Sequence, residues 1–321
     1  MKKKITRWMF GVLISVVSAN QLLAASAADK YPESMLYSKP VKVAQNIWSA
    51  IGATQYYSYE NGGHNNNLTF VVGDKGVLVV NGGAAYLLAK ALHDEIKKVT
   101  DKPVLYVVDE NGQSHAALGN GYWQEQGAEI IAHEDAVAEI EHKGLNGLDE
   151  LTGILKEQIE GTQVVVVDRS FSDRITLDIG GLTAELIDFG PAHSPGDISV
   201  VIPERNVLIA GDMAFHQRML PVFPDTDTAS WIETWNDSFA PYAKEMIIVP
   251  GHGEPTDFAT VDKYTRGYLE YVRGKVAELL ENDGTLEDAY AIDQSPYSHL
   301  ETFDQLAGKN AGRIFEAMEF E

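Results

Sequence analysis

The stretch Val107-Val108-Asp109-Glu110-Asn111-Gly112-Gln113-Ser114-His115-Ala116-Ala117-Leu118-Gly119-Asn120 follows the apolar run Val104 to Val108 and opens a segment that carries Tyr122 and Trp123. A buried strand that runs into a loop and then a helix is where α/β proteins place their chemistry. The loop has the frame of a metal-binding segment, with His115 as its one strong ligand. Three later segments also set a potential ligand at the end of an apolar run. They are Phe189-Gly190-Pro191-Ala192-His193-Ser194-Pro195-Gly196-Asp197, Val207-Leu208-Ile209-Ala210-Gly211-Asp212 and Ile247-Ile248-Val249-Pro250-Gly251-His252-Gly253. Imidazole nitrogen and carboxylate oxygen are donors that zinc, iron and manganese accept, so the chemistry on offer is metal binding.

In order, spacing and flanking glycines, these four segments resemble the metallo-β-lactamase superfamily. Its pattern is a His-x-His-x-Asp-His loop, a His before Ser/Thr-Pro-Gly, a Gly-Asp after a strand and a late Gly-His-Gly. The resemblance covers nearly all of the chain beyond its first 27 residues and implies an α/β fold, the four-layer αββα sandwich. It also implies hydrolysis, in which two ions hold a hydroxide, polarise the scissile bond and steady the leaving group. Here Asn111 and Gln113 fall on the first two His positions, His115 on the Asp and Ala116 on the last His, while Asn81 stands where the family usually has Asp.

Neutral amides are poor donors to zinc, so two full metal sites are not expected. Pooling the strong ligands that remain gives His115, His193, Asp212 and His252. That set suits one tetrahedral or five-coordinate divalent ion, zinc foremost, with iron or manganese as alternatives. A single ion can still bring the pKa of a bound water to around 7. The loop Asp of the family helps to orient the attacking water. With His115 in its place, either Asp212 takes over that task or a different base must exist, and His115 and Asp212 are the candidate catalytic residues.

His216 and Arg218 lie on the expected rim, where the planar guanidinium suits a substrate carboxylate. Asn111 and Gln113 complete the candidate substrate contacts. The resulting expectation is a hydrolase acting on an ester, lactone or related small-molecule bond. The alternative from a different class is a catalytically silent member of the fold, without an ion, that binds a small molecule or partner. A third reading, an iron oxidoreductase site, loses weight because no electron-transfer module is appended. Cleavage of β-lactams is not expected, because Asn111, Gln113 and Ala116 cannot supply the ligands it needs.

The N-terminus reads as a secretory signal peptide over residues 1–27. Met1-Lys2-Lys3-Lys4 and Arg7 form a basic leader, Trp8 to Val17 an apolar core too short to span a bilayer, and Ala25-Ser26-Ala27 a small-residue cleavage site. The remainder, 28–321, then forms one metallo-β-lactamase-like domain, periplasmic or secreted, with no stable membrane association after cleavage. The absence of cysteine excludes a lipoprotein anchor, a disulfide and a thiolate ligand. A formal charge of −22 disfavours nucleic acid and anionic membranes as partners and leaves a small-molecule substrate. Oligomeric state stays open.

The elements that must position these ligands are legible in outline. Leu68 to Val72 and Val77 to Val80 read as a hairpin across Gly73-Asp74-Lys75-Gly76, and Leu88, Leu92, Ile96 and Val99 mark one face of a helix. A strand at Glu129 to Ala132, a helical region through Gln158 and a strand at Val164 to Val167 follow. Arg174 to Ile179, Leu182 to Phe189, Ile198 to Ile202 and Val207 to Ile209 read as strands, and Trp231 to Phe239 and Val261 to Leu280 as helices. The segment from Asn310 to Glu319 resembles the terminal helix of the superfamily branch that includes quinoprotein-associated zinc metallohydrolases. His64 and the cluster Tyr56, Tyr57 and Tyr59 are read as loop and packing residues.

Overall fold

The computed structural model describes residues 30–321, so the expected leader lies outside the described residues. The first sheet holds β1 (Val41–Ala44), β2 (Ile47–Ala50), β3 (Leu68–Val72), β4 (Val77–Val80), β5 (Val104–Val108), β6 (Glu129–His133) and β7 (Arg169–Phe171), in sequence order. It is antiparallel as far as β4 and parallel from β4 to β7. The second sheet holds β8 (Arg174–Asp178), β9 (Thr183–Ile187), β10 (Ser199–Ile202), β11 (Val207–Phe215) and β12 (Ile247–His252), with β11 and β12 parallel and the other pairs antiparallel.

Alternation along the strands builds three cores. Successive strand residues face opposite sides, so Val108 and Ile131 enter the layer between the sheets, against Leu186, Val200, Ile209 and Val249. Val107 and Ile130 face outwards onto helices 86–99, 120–125 and 134–155 through Leu88, Leu92, Trp123 and Leu151. On the other outer face, Val201, Leu208 and Ile248 pack with Trp231, Tyr268 and Phe315, which come from helices 228–234, 266–281 and 303–318. Helix, sheet, sheet, helix is the αββα sandwich.

Three expectations about elements change. Val164 to Val167 forms no strand, and the edge next to β6 is taken by Arg169–Phe171. The apolar run instead lies along helices of the first layer, where Val164 abuts Gly144 and Gln124 Nε2 donates to the Val166 carbonyl at 2.8 Å. The strand starting at Val207 continues to Phe215, carried past an irregularity between Ile209 and Gly211 by its parallel partner. Helix 261–280 is broken at Thr265, whose hydroxyl turns to the backbone of Phe215.

Candidate metal centre

The ligands gather because loops and strand ends from both sheets meet at one edge of the sandwich. β5 passes through Asp109 and Glu110 into the short helix Ser114–Ala117, which carries His115. His193 sits between β9 and β10, Asp212 lies within β11 and His252 ends β12. Pairing of β11 with β12 brings the last two together, and Gly251 makes room for the approach, since a Cβ there would collide with Asp212 Oδ1.

Asp212 is the hub. Its Oδ2 lies 3.6 Å from Nε2 of His115 and 3.6 Å from Nε2 of His193, and its Oδ1 lies 3.3 Å from Nε2 of His252. Ligand atoms of His115, Asp212 and His252 all fall within 4.8 Å of one another, while His193 stands outside that group and touches it only at Asp212 Oδ2. None of the four residues is more than 4% exposed.

The donor chemistry fits one cation. Nε2 of His115, Nε2 of His193 and Oδ1 of Asp212 are buried without a hydrogen-bond partner. Nδ1 of His252 lies 2.6 Å from the Asn65 carbonyl, which can only accept, so Nδ1 holds the proton and Nε2 turns a lone pair towards Asp212 Oδ1. Two facing lone pairs at that distance repel unless a cation or a proton lies between them. Bonds of about 2.0–2.2 Å hold tetrahedral donors roughly 3.4 Å apart, matching the spacings here. Burial lowers the pKa of His115 and His252, and takes His193 to about 3, leaving the imidazoles neutral as ligation requires.

Glu110 also belongs to the centre, although its place in the sequence does not mark it. Its side chain is buried, with Oε1 accepting from Asn81 Nδ2 at 2.9 Å and lying 3.6 Å from His115 Nε2. Oε2 accepts from the backbone N–H of Asp212. Asn81 returns the contact, its Oδ1 accepting from the Glu110 N–H at 3.2 Å. Gly211, at φ 60°, is required beside it because a Cβ would overlap Glu110 Oε2. Burial pushes the Glu110 carboxyl up to about 7, and burial with the nearby Glu110 charge raises Asp212. The signal in the sequence was a pair of acids, Asp109 and Glu110, placed directly after a fully apolar strand.

The candidate substrate residues separate. Arg218 reaches the centre, its Nη1 3.1 Å from His252 Nδ1, its guanidinium 5.4 Å from the Tyr56 ring centre and its Nε without a partner. Because His252 Nδ1 donates to Asn65, Arg218 finds no acceptor there and remains open to an anion. Tyr57 also joins the site, with burial and the charge of Asp212 raising its phenol and Arg218 opposing that rise. His216 turns away, its Nε2 held at 2.5 Å by the Glu254 carbonyl. Asn111 acts on the backbone, its Oδ1 accepting from the Gln113 N–H at 3.0 Å, while Gln113 borders a cavity. His64 is a structural residue, with Nδ1 accepting from the Tyr37 N–H and Nε2 facing the Ala50 carbonyl.

That cavity, of about 660 Å³, lies between helix 134–155 and the loop at Phe223, and is lined by Tyr57, Gln113, Lys143, Ser194, Phe223 and Asp225 among others. It borders the centre through neighbours of His115 and His193, but none of the four ligands lines it. Lys143 spans it, 3.1 Å from Glu139 and 2.7 Å from Asp225.

Comparison with known proteins agrees with this architecture. The profile of the metallo-beta-lactamase superfamily matches residues 61–252. The chain is 22% identical over 234 residues to Metallo-beta-lactamase type 2 of Bacteroides fragilis, covering 70% of this chain and 86% of that protein. It is likewise 22% identical over 257 residues to Metallo-beta-lactamase IND-1 of Chryseobacterium indologenes, covering 79% and 93%. Among solved structures, a metallo-beta-lactamase from Pontibacter korlensis superposes with a TM-score of 0.58 at 19% identity, over 72% of this chain and 98% of that one. The inverting sec-alkylsulfatase Pisa1 from Pseudomonas sp. gives 0.67 at 13%, over 88% of this chain and 50% of its own length. From its matched profile, its two-sheet sandwich and its buried His and Asp cluster, the chain belongs to the metallo-β-lactamase superfamily.

Proposed function

We propose that this chain is an exported hydrolase with a single-metal centre, acting on an ester, lactone or related bond of a small molecule. The observation that carries the reading is the convergence of neutral, partnerless imidazole nitrogens of His115 and His193 on one buried carboxylate, with His252 completing the set. When bound, the ion, zinc in the first expectation, would acidify a water and polarise the bond to be cleaved. Asp212 lies within 3.6 Å of all three imidazoles and is the carboxylate that would take a proton from that water. His115 supplies the first-sheet contact that the family loop makes with Asp. Arg218 offers its guanidinium to negative charge on the substrate or on the developing oxyanion.

Protein from its native host, purified without affinity metals, is expected to carry one transition-metal ion per chain and to begin near Ala28. It should hydrolyse activated esters or lactones in a chelator-sensitive way, with activity restored by the same metal. A chain devoid of metal, or turnover indifferent to chelation, defeats the reading. The silent alternative draws on a specific observation, that the cavity is lined by none of the four buried ligands. Saturable binding of a small molecule, without turnover, by protein that carries no metal as isolated would favour it.

A further inference from the structure

The carboxylate missing at Asn81 is not lost from the site, because one stands at Glu110 instead, held in place by Asn81 itself. His115 Nε2 therefore lies between two carboxylate oxygens, Glu110 Oε1 at 3.6 Å and Asp212 Oδ2 at 3.6 Å. That nitrogen is buried and has no hydrogen-bond partner. Tetrahedral donors about one ion apart show this spacing, as they do around Asp212. Of the lone pairs on Oε1, one receives the Asn81 amide and another remains for a cation.

Resting on the single-metal reading above, we propose that Glu110 is a ligand of the ion, so that the centre combines two carboxylates with imidazoles. Carboxylate is a harder donor than imidazole, and manganese depends on it more than zinc does. Asn81 is then a positioning residue, fixing Oε1 towards His115 by its Nδ2 and fixing the Glu110 backbone by its Oδ1.

A reciprocal exchange separates ligation from mere support. In the double variant Asn81→Asp with Glu110→Gln, the Gln carbonyl can accept from the Asp212 N–H, the Gln amide can donate to the carboxylate introduced at position 81, and that carboxylate can accept from the N–H of residue 110. These three hydrogen bonds are kept, only the 3.4 Å contact of Asn81 Nδ2 with the Asn67 carbonyl is lost, and the atom facing His115 becomes an N–H donor. Manganese and zinc affinities would be measured by competition with a chromogenic chelator on the full-length mature protein, alongside thermal unfolding of the metal-free form.

The expected result is a metal-free unfolding midpoint close to wild type and a manganese affinity lowered about tenfold or more, with a smaller loss for zinc. Equal affinities for wild type and the exchanged pair overturn the role of Glu110 while leaving the single-metal reading intact. A wild-type chain that binds neither ion overturns both. Should the exchanged pair unfold, Glu110→Gln alone is read in the same assay, with the fold checked by circular dichroism. There an unchanged manganese affinity in a folded variant likewise overturns the proposal.

Discussion

The two sheets contribute to the centre in different ways. The second sheet delivers His193, Asp212 and His252 on the residues that the superfamily pattern assigns, along β11, β12 and the connection before β10. The first sheet delivers His115 from a position the pattern gives to Asp, and sets Glu110 beside it. Loss of a motif has therefore not scattered the remaining candidate donors. Of the amides at ligand positions, Asn111 holds the loop in shape by capping the Gln113 N–H, while the donors His115 and Glu110 lie close to Asp212.

The sharpest way to break that comparison is at the hub. Asp212→Ala removes the carboxylate shared by three imidazoles and should abolish bound metal by elemental analysis, with hydrolysis reduced about a hundredfold or more. Retained metal would show that the second sheet is not the anchor. Next come the two halves taken singly. His115→Ala and His252→Ala should lower metal content to similar extents, and each should cost roughly 1–3 kcal/mol of metal-linked stability at saturating ion. A normal metal content in His115→Ala alone would mark the first-sheet loop as a remnant.

Arg218→Gln should leave metal content near wild type and raise KM for an anionic ester about tenfold or more, as expected for loss of a charge-assisted contact. A neutral ester should feel the change far less, and equal effects on both esters would remove Arg218 from substrate recognition. The second-sheet loop also carries a pH signature. Asp197 accepts from the Ser194 N–H and hydroxyl, and burial raises its carboxyl to about 8. A folded-state pKa above the unfolded value near 3.9 means that its stabilisation is complete below about pH 4 and is lost as pH rises through about 8. Between pH 5 and 8 Asp197 therefore lowers the stability of metal-free protein, against the rise that the buried neutral imidazoles contribute below about pH 6.5, and Asp197→Asn should remove about 1 kcal/mol or more of that loss in urea unfolding. The smallest effect belongs to His216→Ala, which should leave metal content unaltered and shift stability by about 1 kcal/mol, the worth of one hydrogen bond to the Glu254 carbonyl.

The sequence made the second-sheet ligands plain, because each ends or continues an apolar run and carries its own glycine signature. His115 was legible for the same reason. Glu110 was not, since an acid at a strand end reads as solvated unless its burial is known, and its partners Asn81 and Asp212 lie far away in the chain. Asp212 was placed after a strand and proved to lie inside one, because its neighbour Gly211 serves side-chain clearance and does not end the strand. Val164 to Val167 misled in the opposite sense, where apolar character served helix covering without a ladder partner. The strands β1 and β2 escaped notice because their short runs mix polar with apolar residues, unlike the equally short but wholly apolar Val77–Val80.

The loop before β3 is sewn to the end of β12, since Asn67 Nδ2 donates to the carbonyls of Pro250 and Gly253, spanning 183 and 186 positions. Such long closures are slow to find, because chain entropy is surrendered before the contact repays it. The register of β12 comes from β11, but the turn after His252 is pinned only when positions 67 and 253 have met, so completion of the candidate centre is expected late in refolding. A metal-sensitive dye would register it after the far-ultraviolet signal of the helices has already matured.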